Sequence, residues 1–478
     1  MKINVLFASF EALPFYKTGG LADVVGALPQ FLDHRYFTTK IVLPFLRPIR
    51  EKVGQNVRKR AHLYVRNGIL NEEADVYSLK EGKTEVFFIA DQLYLDRDSA
   101  YGYGDDAARF AFFCAAVREM MVEMDYYPDI LHTHDYHTAP LAALCQYSPL
   151  ERLRRIKHIF TIHNLSFQGS YDKTVLFELL DLPAEDYANG KLRYNDSCNF
   201  LKLGVICADA VTTVSDSYAK EICTPQQGEG MDMILRWRQE DLYGIRNGID
   251  TSFFDPSSSE LPCPYDRKTY KKAKPFNKLS LQKELGLKKD ASALLCAAVT
   301  RLSGQKGIDL ILGGAERMLK KGAQLAVLGS GESRYEYALR LLEREYPGQV
   351  SFTCAYDEAL AHRIYAGADL YLMPSLYEPC GLSQMIAMRY GTLPFVRETG
   401  GLKDTVEPFN EYTLSGTGFS FGPYDQRDFD RVFDYAWDQY TWHPENWEKL
   451  IENAMAYEVS FREPARQYAA LYRKVLKS

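Results

Sequence analysis

An α/β protein of two domains, each a parallel sheet covered by helices, is what this sequence predicts, on three observations. At 478 residues the chain exceeds what one hydrophobic core usually organises. Short apolar, β-branched runs alternate with longer helical patterns from end to end. Between two such series lies "YGIRNGIDTSFFDPSSSELPCPYD", whose Gly, Pro and Ser interrupt any long element. The boundary falls between Gly244 and Pro256, giving domains of residues 1–245 and 246–457.

In the first series "INVLFAS" reads as the opening strand, "TKIVLPF" and "TEVFFIA" as later ones. "DILHTH", "KHIFTIHN" and "AVTTVS" follow, with helices such as "AARFAFFCAAVREMMVEM" between them. The second series begins at "SALLCAAVTRL" and runs through "AQLAVLGSG", "VSFTCAY", "DLYLMPS" and "TLPFVRE", each separated by a helical stretch. The last helix, "EPARQYAALYRKVLKS", carries an apolar stripe with no following strand to cover.

Charge and composition narrow the function. With 57 Lys+Arg against 63 Asp+Glu the net charge is −6, which offers no basic footprint for nucleic acid and no polybasic membrane patch. A small molecule or a neutral polymer is the expected partner. The nine cysteines form no CxxC pair, and most sit in apolar stretches, as suits a reducing cytosol. The opening "MKINVLFASFEALPFYK" is too soon interrupted for a signal peptide, and no later run reaches membrane-spanning length, so a cytoplasmic location is expected.

Ligands of open parallel sheets bind beyond the carboxyl ends of the strands, and those positions are unusually polar here. Glu11, Lys17 and the Gly19-Gly20 pair follow the first strand, with Asp23 just beyond. His134, Asp135 and His137, then His163 and Asn164, follow two others. The second series supplies Arg301 and Lys306, Gly329 and Gly331, Glu378 with "PCGL", and Thr399 with a second glycine pair. Arg301 and Lys306 in "TRLSGQKG" set two cations on a tight loop, an arrangement suited to a diphosphate. Standing alone, that loop reads better as a surface turn with two solvated bases. Glu378 falls at the start of an expected helix, whose N-terminus suits a negative group or a hydroxyl-rich ligand, and an ordinary helix cap is an equal reading. "GSGE" is a weak phosphate-loop signal without a following Walker lysine. In "HTHDYH" the side chains of His132 and His134 share a strand face while His137 falls in the loop, and no HExxH accompanies them, so substrate contact is expected rather than a metal.

"TGGLADVV" (18–25) recurs as "TGGLKDTV" (399–406), identical at six of eight positions. A glycine pair lets backbone approach a ligand closely, so the two turns are expected to share a similar job.

Taken together, "YKTGGLADVVGALP", "HTHDYHTAPL", "FTIHNLSFQG", "TTVSDSYAKEICTPQQGEGMD", "GIRNGID", "VTRLSGQKGIDL" and "EALAHRIYAGADLYLMPSLYEPCGLSQ" followed by "YGTLPFVRETGGLKDTV" closely resemble the bacterial glycogen synthase and plant starch synthase family, from Met1 to about Tyr472. The resemblance implies two Rossmann-like domains facing across a deep cleft, the GT-B type, with the C-terminal helix, residues 458–478, returning to the first. It implies transfer of glucose from ADP-glucose to the nonreducing 4-hydroxyl of an α-1,4-glucan with retention, without a metal or other cofactor. Lys17 and the adjacent Gly19 and Gly20 backbone would contact donor phosphate, while Arg301 and Lys306 would neutralise the leaving diphosphate. Glu378 would hold hydroxyls of the transferred glucose, lined by Cys380, Gly381 and Leu382. His163 would sit close to the sugar, with Asp135 and Asn247 nearby; Glu11, Asp23, Thr399 and Gly400 complete the expected substrate contacts. Two departures stand out: Ile386 occupies the position of a second Glu found in many related retaining transferases, and Leu376 and Glu398 fall where relatives often carry Arg. The competing readings are a related transferase using UDP-glucose or a small acceptor, and a catalytically silent glucan-binding protein. A dinucleotide oxidoreductase lacks its GxGxxG turn after the first strand.

Overall fold

The computed structural model describes residues 2–477. They fall into two compact units, one running to Asn247 and resuming at Phe461, the other Gly248–Ser460. The division comes two residues after the expected end at 245, and the chain rejoins the first unit at Phe461 rather than 458.

The first unit is built on strands β1 (Ile3–Ala8), β2 (Phe37–Pro44), β3 (Arg58–Asn67), β4 (Leu70–Glu81), β5 (Thr84–Ala90), β6 (Ile130–His134) and β7 (Lys157–Ile162). A small hairpin of β8 (Ser170–Asp172) and β9 (Ser197–Asn199) stands apart, and β10 (Ala210–Thr213) and β11 (Leu242–Gly244) close the main sheet. Its order is β11-β10-β7-β6-β1-β2-β5-β4-β3 among the described residues. Strands β1, β6, β7 and β10 are buried almost throughout, because helices cover both faces; that is why they read as continuous apolar runs. The helix Arg462–Val475 lays Ala465, Tyr468, Leu471, Tyr472 and Val475 into this core at helical spacing. Tyr472 reaches β6, where its hydroxyl meets Nδ1 of His132 at 2.8 Å.

The long antiparallel pair β3–β4 was not expected between "TKIVLPF" and "TEVFFIA". Asn67 pairs with Leu70 across a two-residue loop whose first position, Gly68, has φ +56, a conformation glycine adopts without penalty. The Asn67-Gly68 dipeptide was the available signal.

The second unit carries β12 (Leu295–Val299), β13 (Gln324–Leu328), β14 (Val350–Thr353), β15 (Leu370–Met373), β16 (Leu393–Arg397) and β17 (Phe419–Phe421) in the parallel order β14-β13-β12-β15-β16-β17. The helix Ile308–Lys320 buries Ile308, Ile311, Ala315, Met318 and Leu319 against it along one stripe.

Both sheets reverse their winding at a central strand. In the first unit the chain leaves β1 toward β2 and returns on the other side as β6; in the second it leaves β12 toward β13 and returns as β15. Loops diverge at such a point, opening a crevice at the strand carboxyl ends. The crevices therefore lie between the loops after β1 and β6, and after β12 and β15.

Candidate active site

In the second unit the reversal brings together residues far apart in sequence. Lys306 ends a short 3₁₀ turn after β12, and its Nζ meets Oε2 of Glu378, on the loop after β15, at 2.6 Å. Ser375 Oγ donates to the same oxygen at 3.2 Å. The two loops interlock: Leu376 N donates to Gln305 O at 2.8 Å, and Gly307 lies so close to Pro374 that an added Cβ would overlap its carbonyl oxygen. Arg301 is exposed, and its hydrogen bond to Gln305 Oε1 is long, at 3.4 Å, so it can swing onto an anion. Gly329 and Gly331 are glycines for packing rather than for phosphate, since a Cβ on either would strike the carbonyls of Thr300 and Leu302.

Glu378 is not a helix cap, one of the two readings its position in the sequence left open. The helix begins five residues later, at Ser383, with Leu382 at its N-cap position. Cys380 is buried, and Gly381 turns the chain with φ +70. Leu376 and Glu398 are both exposed, and Glu398 accepts from Ser420 Oγ at 2.8 Å. Arg397 braces the loop instead: its Nε donates to Ser375 O at 2.8 Å and its Nη2 to Leu376 O. Ile386 lies in the core.

The two glycine turns differ in what surrounds them. In the second, Thr399 is buried, Gly400 has φ +45, and a Cβ on Gly400 or Gly401 would strike the backbone of Glu378 or Cys380. Gly401 N donates to Glu378 O at 3.1 Å. This turn is the seat of the Glu378 loop, so the expectation that its glycines open backbone to a ligand gives way to backbone-on-backbone packing. In the first turn nothing lies within 4 Å of a Cβ on Gly19, whose backbone is extended. The carboxylate of Glu11 accepts from Thr18 N, from Gly19 N at 3.2 Å and from Thr18 Oγ1 at 2.6 Å, occupying the amides that open the helix Gly20–Phe31. The amides of Thr18 and Gly19, one of them expected at donor phosphate, are thus committed to Glu11. Gly20 itself is exposed at the first turn of that helix. Gly400→Ala and Gly401→Ala are therefore expected to lower the unfolding temperature of the second unit by several degrees together with activity, through roughly 1–3 kcal/mol of displaced backbone. Gly19→Ala should leave the melting profile unchanged; calorimetry on the three variants checks the contrast.

Around the first turn, Lys17 Nζ pairs with the buried Asp23 at 2.9 Å. Tyr101, unassigned by sequence, donates to Glu11 Oε1 at 2.8 Å and stacks on His137 at 4.5 Å. Its only advance signal was its place in the aromatic run "YLDRDSAYGYG".

Beyond β6, Asp135 adopts φ +57, a left-handed conformation that Asp tolerates better than most residues. Its carboxylate accepts from His163 N at 2.7 Å. Burial pushes Asp135 up to about 7, against the amide bonds that favour its charged form, and Glu11 adds to the rise. His163 Nε2 lies 3.0 Å from His134 Nδ1. Burial depresses His163 to about 3 and His134 well below its ordinary value, so this pair is a neutral donor and acceptor. His132 engages both ring nitrogens, with Tyr472 and Thr161, which removes it as a metal ligand. His134 Nε2 and His137 Nδ1 are buried without a protein partner, as is Oδ1 of Asn247 at the end of the unit's first segment. Orphaned polar atoms of this kind suit a hydroxyl-rich ligand.

Comparison with known proteins agrees along the whole chain. Residues 4–237 match the starch synthase catalytic domain and residues 281–456 the glycosyl transferases group 1. The glycogen synthase of Clostridium kluyveri is 41% identical over 476 residues, 99% of this chain and 100% of that relative. That of Clostridium perfringens is 42% identical over 478 residues, 99% of each. Among solved structures, the catalytic domain of starch synthase IV from Arabidopsis thaliana, bound to ADP and acarbose, superposes with a TM-score of 0.92 at 31% identity, covering 100% of both chains. Sucrose-phosphate synthase from Thermosynechococcus elongatus, at 16% identity and a TM-score of 0.63 over 100% of both chains, shares the fold. Two α/β units, with Lys306 and Glu378 converging where the second sheet reverses, matched along the chain in this way, make it a GT-B glycosyltransferase of the glycogen and starch synthase family.

Proposed function

We propose that this protein extends an α-1,4-glucan at its nonreducing end with glucose from ADP-glucose, retaining the anomeric configuration and releasing ADP. The observation that carries the reading is the Lys306–Glu378 pair at 2.6 Å on interlocked loops. It supplies a cation for a leaving diphosphate and an acceptor for sugar hydroxyls within one rigid turn. Departure of ADP concentrates negative charge on the diphosphate, so fixed cations stabilise the transition state more than the ground state. Arg301 adds the second cation from its exposed position. With these charges in place the transfer needs no metal or other cofactor. Glu378 acts as a hydroxyl acceptor and not a nucleophile: Lys306 and Ser375 already engage its Oε2, which quenches attack and leaves Oε1 for the sugar.

Residues 1–245, with the C-terminal helix, act mainly on the acceptor side and residues 246–457 hold the nucleotide sugar. His163, Asp135 and Asn247 meet the transferred glucose and the acceptor, with the neutral imidazoles providing hydrogen bonds without charge. Lys17, Gly20 and Asp23 contact the donor, while Glu11 holds their turn in shape. Tyr356, 80% exposed beyond β14, offers an aromatic face for a nucleobase. The ADP in the starch synthase IV structure supports adenine over uracil. Nine free cysteines and no helix long and apolar enough to cross a membrane among the described residues support a cytosolic setting.

The test is incorporation of labelled glucose into glycogen from ADP-glucose and UDP-glucose in parallel, with and without a chelator. ADP-glucose should be the better donor, the chelator should not slow the reaction, and intact mass should reveal no glucosylated enzyme. Preference for UDP-glucose, or incorporation only into small acceptors, would replace this reading with a related transferase. Glycogen binding without transfer would leave a silent binding protein.

A further inference from the structure

The two histidines that meet beyond β6 and β7 differ in what their remaining nitrogens face. His134 ends β6, and Thr138 fixes its main chain on both sides: His134 N donates to Thr138 Oγ1 at 2.7 Å, and that hydroxyl donates to His134 O at 2.8 Å. The ring is held by its neighbours, stacked on His132 at 4.2 Å and on Phe7 at 5.9 Å between centroids. His132 is itself pinned through both nitrogens, by Tyr472 and Thr161. The C-terminal helix thus holds His132, His132 backs His134, and His134 meets His163.

His163 has its main-chain N–H on the Asp135 carboxylate and its Nε2 on His134 Nδ1, so Nδ1 is the ring nitrogen left to meet a ligand. On His134 the remaining nitrogen, Nε2, is buried without a protein partner. Burial keeps both rings neutral, so two protons are shared among four nitrogens, and the 3.0 Å contact takes one donor and one acceptor. Two arrangements satisfy that contact. With the protons on Nε2 of both rings, His134 strands a buried N–H that nothing accepts. With the protons on Nδ1 of both rings, the stranded atom is only a lone pair, which a ligand hydroxyl can fill. Stranded N–H groups are the rarer of the two in folded proteins.

We infer that His134 is a positioning residue: its Nδ1–H fixes the orientation and tautomer of His163, which then presents an Nδ1–H donor to an oxygen of the transferred glucose. The inference rests on the proposed transferase reading and gives His163 one role in it. His163 donates a hydrogen bond and takes no proton, because the nitrogen turned to the sugar already carries one.

The first measurement needs no substrate. Nitrogen NMR of the protein labelled at histidine, with the two resonances identified by their loss in His134→Asn and His163→Gln, should show both rings protonated at Nδ1 at neutral pH. The second is kinetic. Asn places an amide N–H where His134 Nδ1 stands, whereas Leu fills the apolar pocket and removes the donor. His134→Leu should be at least as stable as His134→Asn and yet the slower enzyme. Its kcat should fall roughly tenfold to a hundredfold, as when the partner that orients a working imidazole is lost, against about threefold for Asn. A role in core packing alone would reverse that order and overturn the inference. So would an Nε2–H on His163, or parental kcat in His134→Leu; the spectra decide the tautomers even where the leucine variant fails to fold. Both rings protonated at Nδ1 in a parent protein that incorporates no glucose would refute the transferase reading while upholding the arrangement of the pair.

Discussion

Lys306→Ala should lower kcat by about a hundredfold to a thousandfold, a loss of roughly 3–4 kcal/mol of transition-state stabilisation. The ammonium faces the Glu378 carboxylate at 2.6 Å with both side chains largely buried, so its removal also leaves that carboxylate without its counter-charge. A stability loss of about 1–3 kcal/mol should accompany the kinetic one. Lys306→Ala with Glu378→Gln separates the effects: the double variant should regain stability and remain inactive. Arg301→Ala, at an exposed side chain, should impair turnover with no change in stability. Stopped assays of ADP release and denaturant titrations on the same preparations provide both readouts. Near-parental turnover in both single variants would remove the diphosphate assignment.

Mild acid should unfold the first unit well before carboxylates are titrated. Burial depresses His132, His137 and His163 to about 3 and His158 to about 4, with His134 also well below its ordinary value. In the unfolded chain each titrates near 6.5. Because the folded values are the lower ones, the stability these groups permit is fully present above 6.5. It falls as protons bind preferentially to the unfolded chain, by up to about 1.4 kcal/mol per histidine for each pH unit toward the folded value. Asp135 works in the opposite sense: its folded value of about 7 lies above that of the unfolded chain, so its contribution is lost as pH rises through 7. Five histidines outweigh one carboxylate against a total of roughly 5–15 kcal/mol. Urea midpoints followed by circular dichroism at pH 7.5, 6.5 and 5.5 should drop steeply at the last. Equal midpoints at 7.5 and 5.5 would mean that the imidazoles are not buried neutral.

What the sequence made legible follows from which faces are buried. Parallel strands such as β1 and β12, covered on both sides, had to be written as apolar runs and could be read as such. Strands β3 and β4 keep a solvated face bearing His62, Tyr64 and Arg66, so their alternation is diluted by charge and no strand was read there. For the site, the strand-end rule found Lys306 and Glu378 individually, because position after a strand is a local property. Their pairing depends on β12 and β15 being neighbours, which no local pattern encodes. The repeated turn was read as one device used twice, whereas the first copy is organised by Glu11 and the second by the backbone of Glu378 and Cys380. Glycine's tolerance of close approach is the same in both; what approaches is decided by tertiary neighbours.

The helix Arg462–Val475 belongs to a unit whose preceding segment ends at Asn247, with the whole of the other unit threaded between them. On the ribosome the core around β6 must therefore wait for its final layer. At roughly 5–20 residues per second, about 10–40 s separate emergence of Asn247 from that of Phe461. Throughout that interval His132 lacks the Tyr472 hydroxyl and the face later covered by Tyr468 and Leu471 is bare, and the intervening unit is complete only as that layer begins to emerge. The unit begun first is thus completed after the one threaded into it, and its dependence on chaperones should be greatest just before the helix Arg462–Val475 emerges.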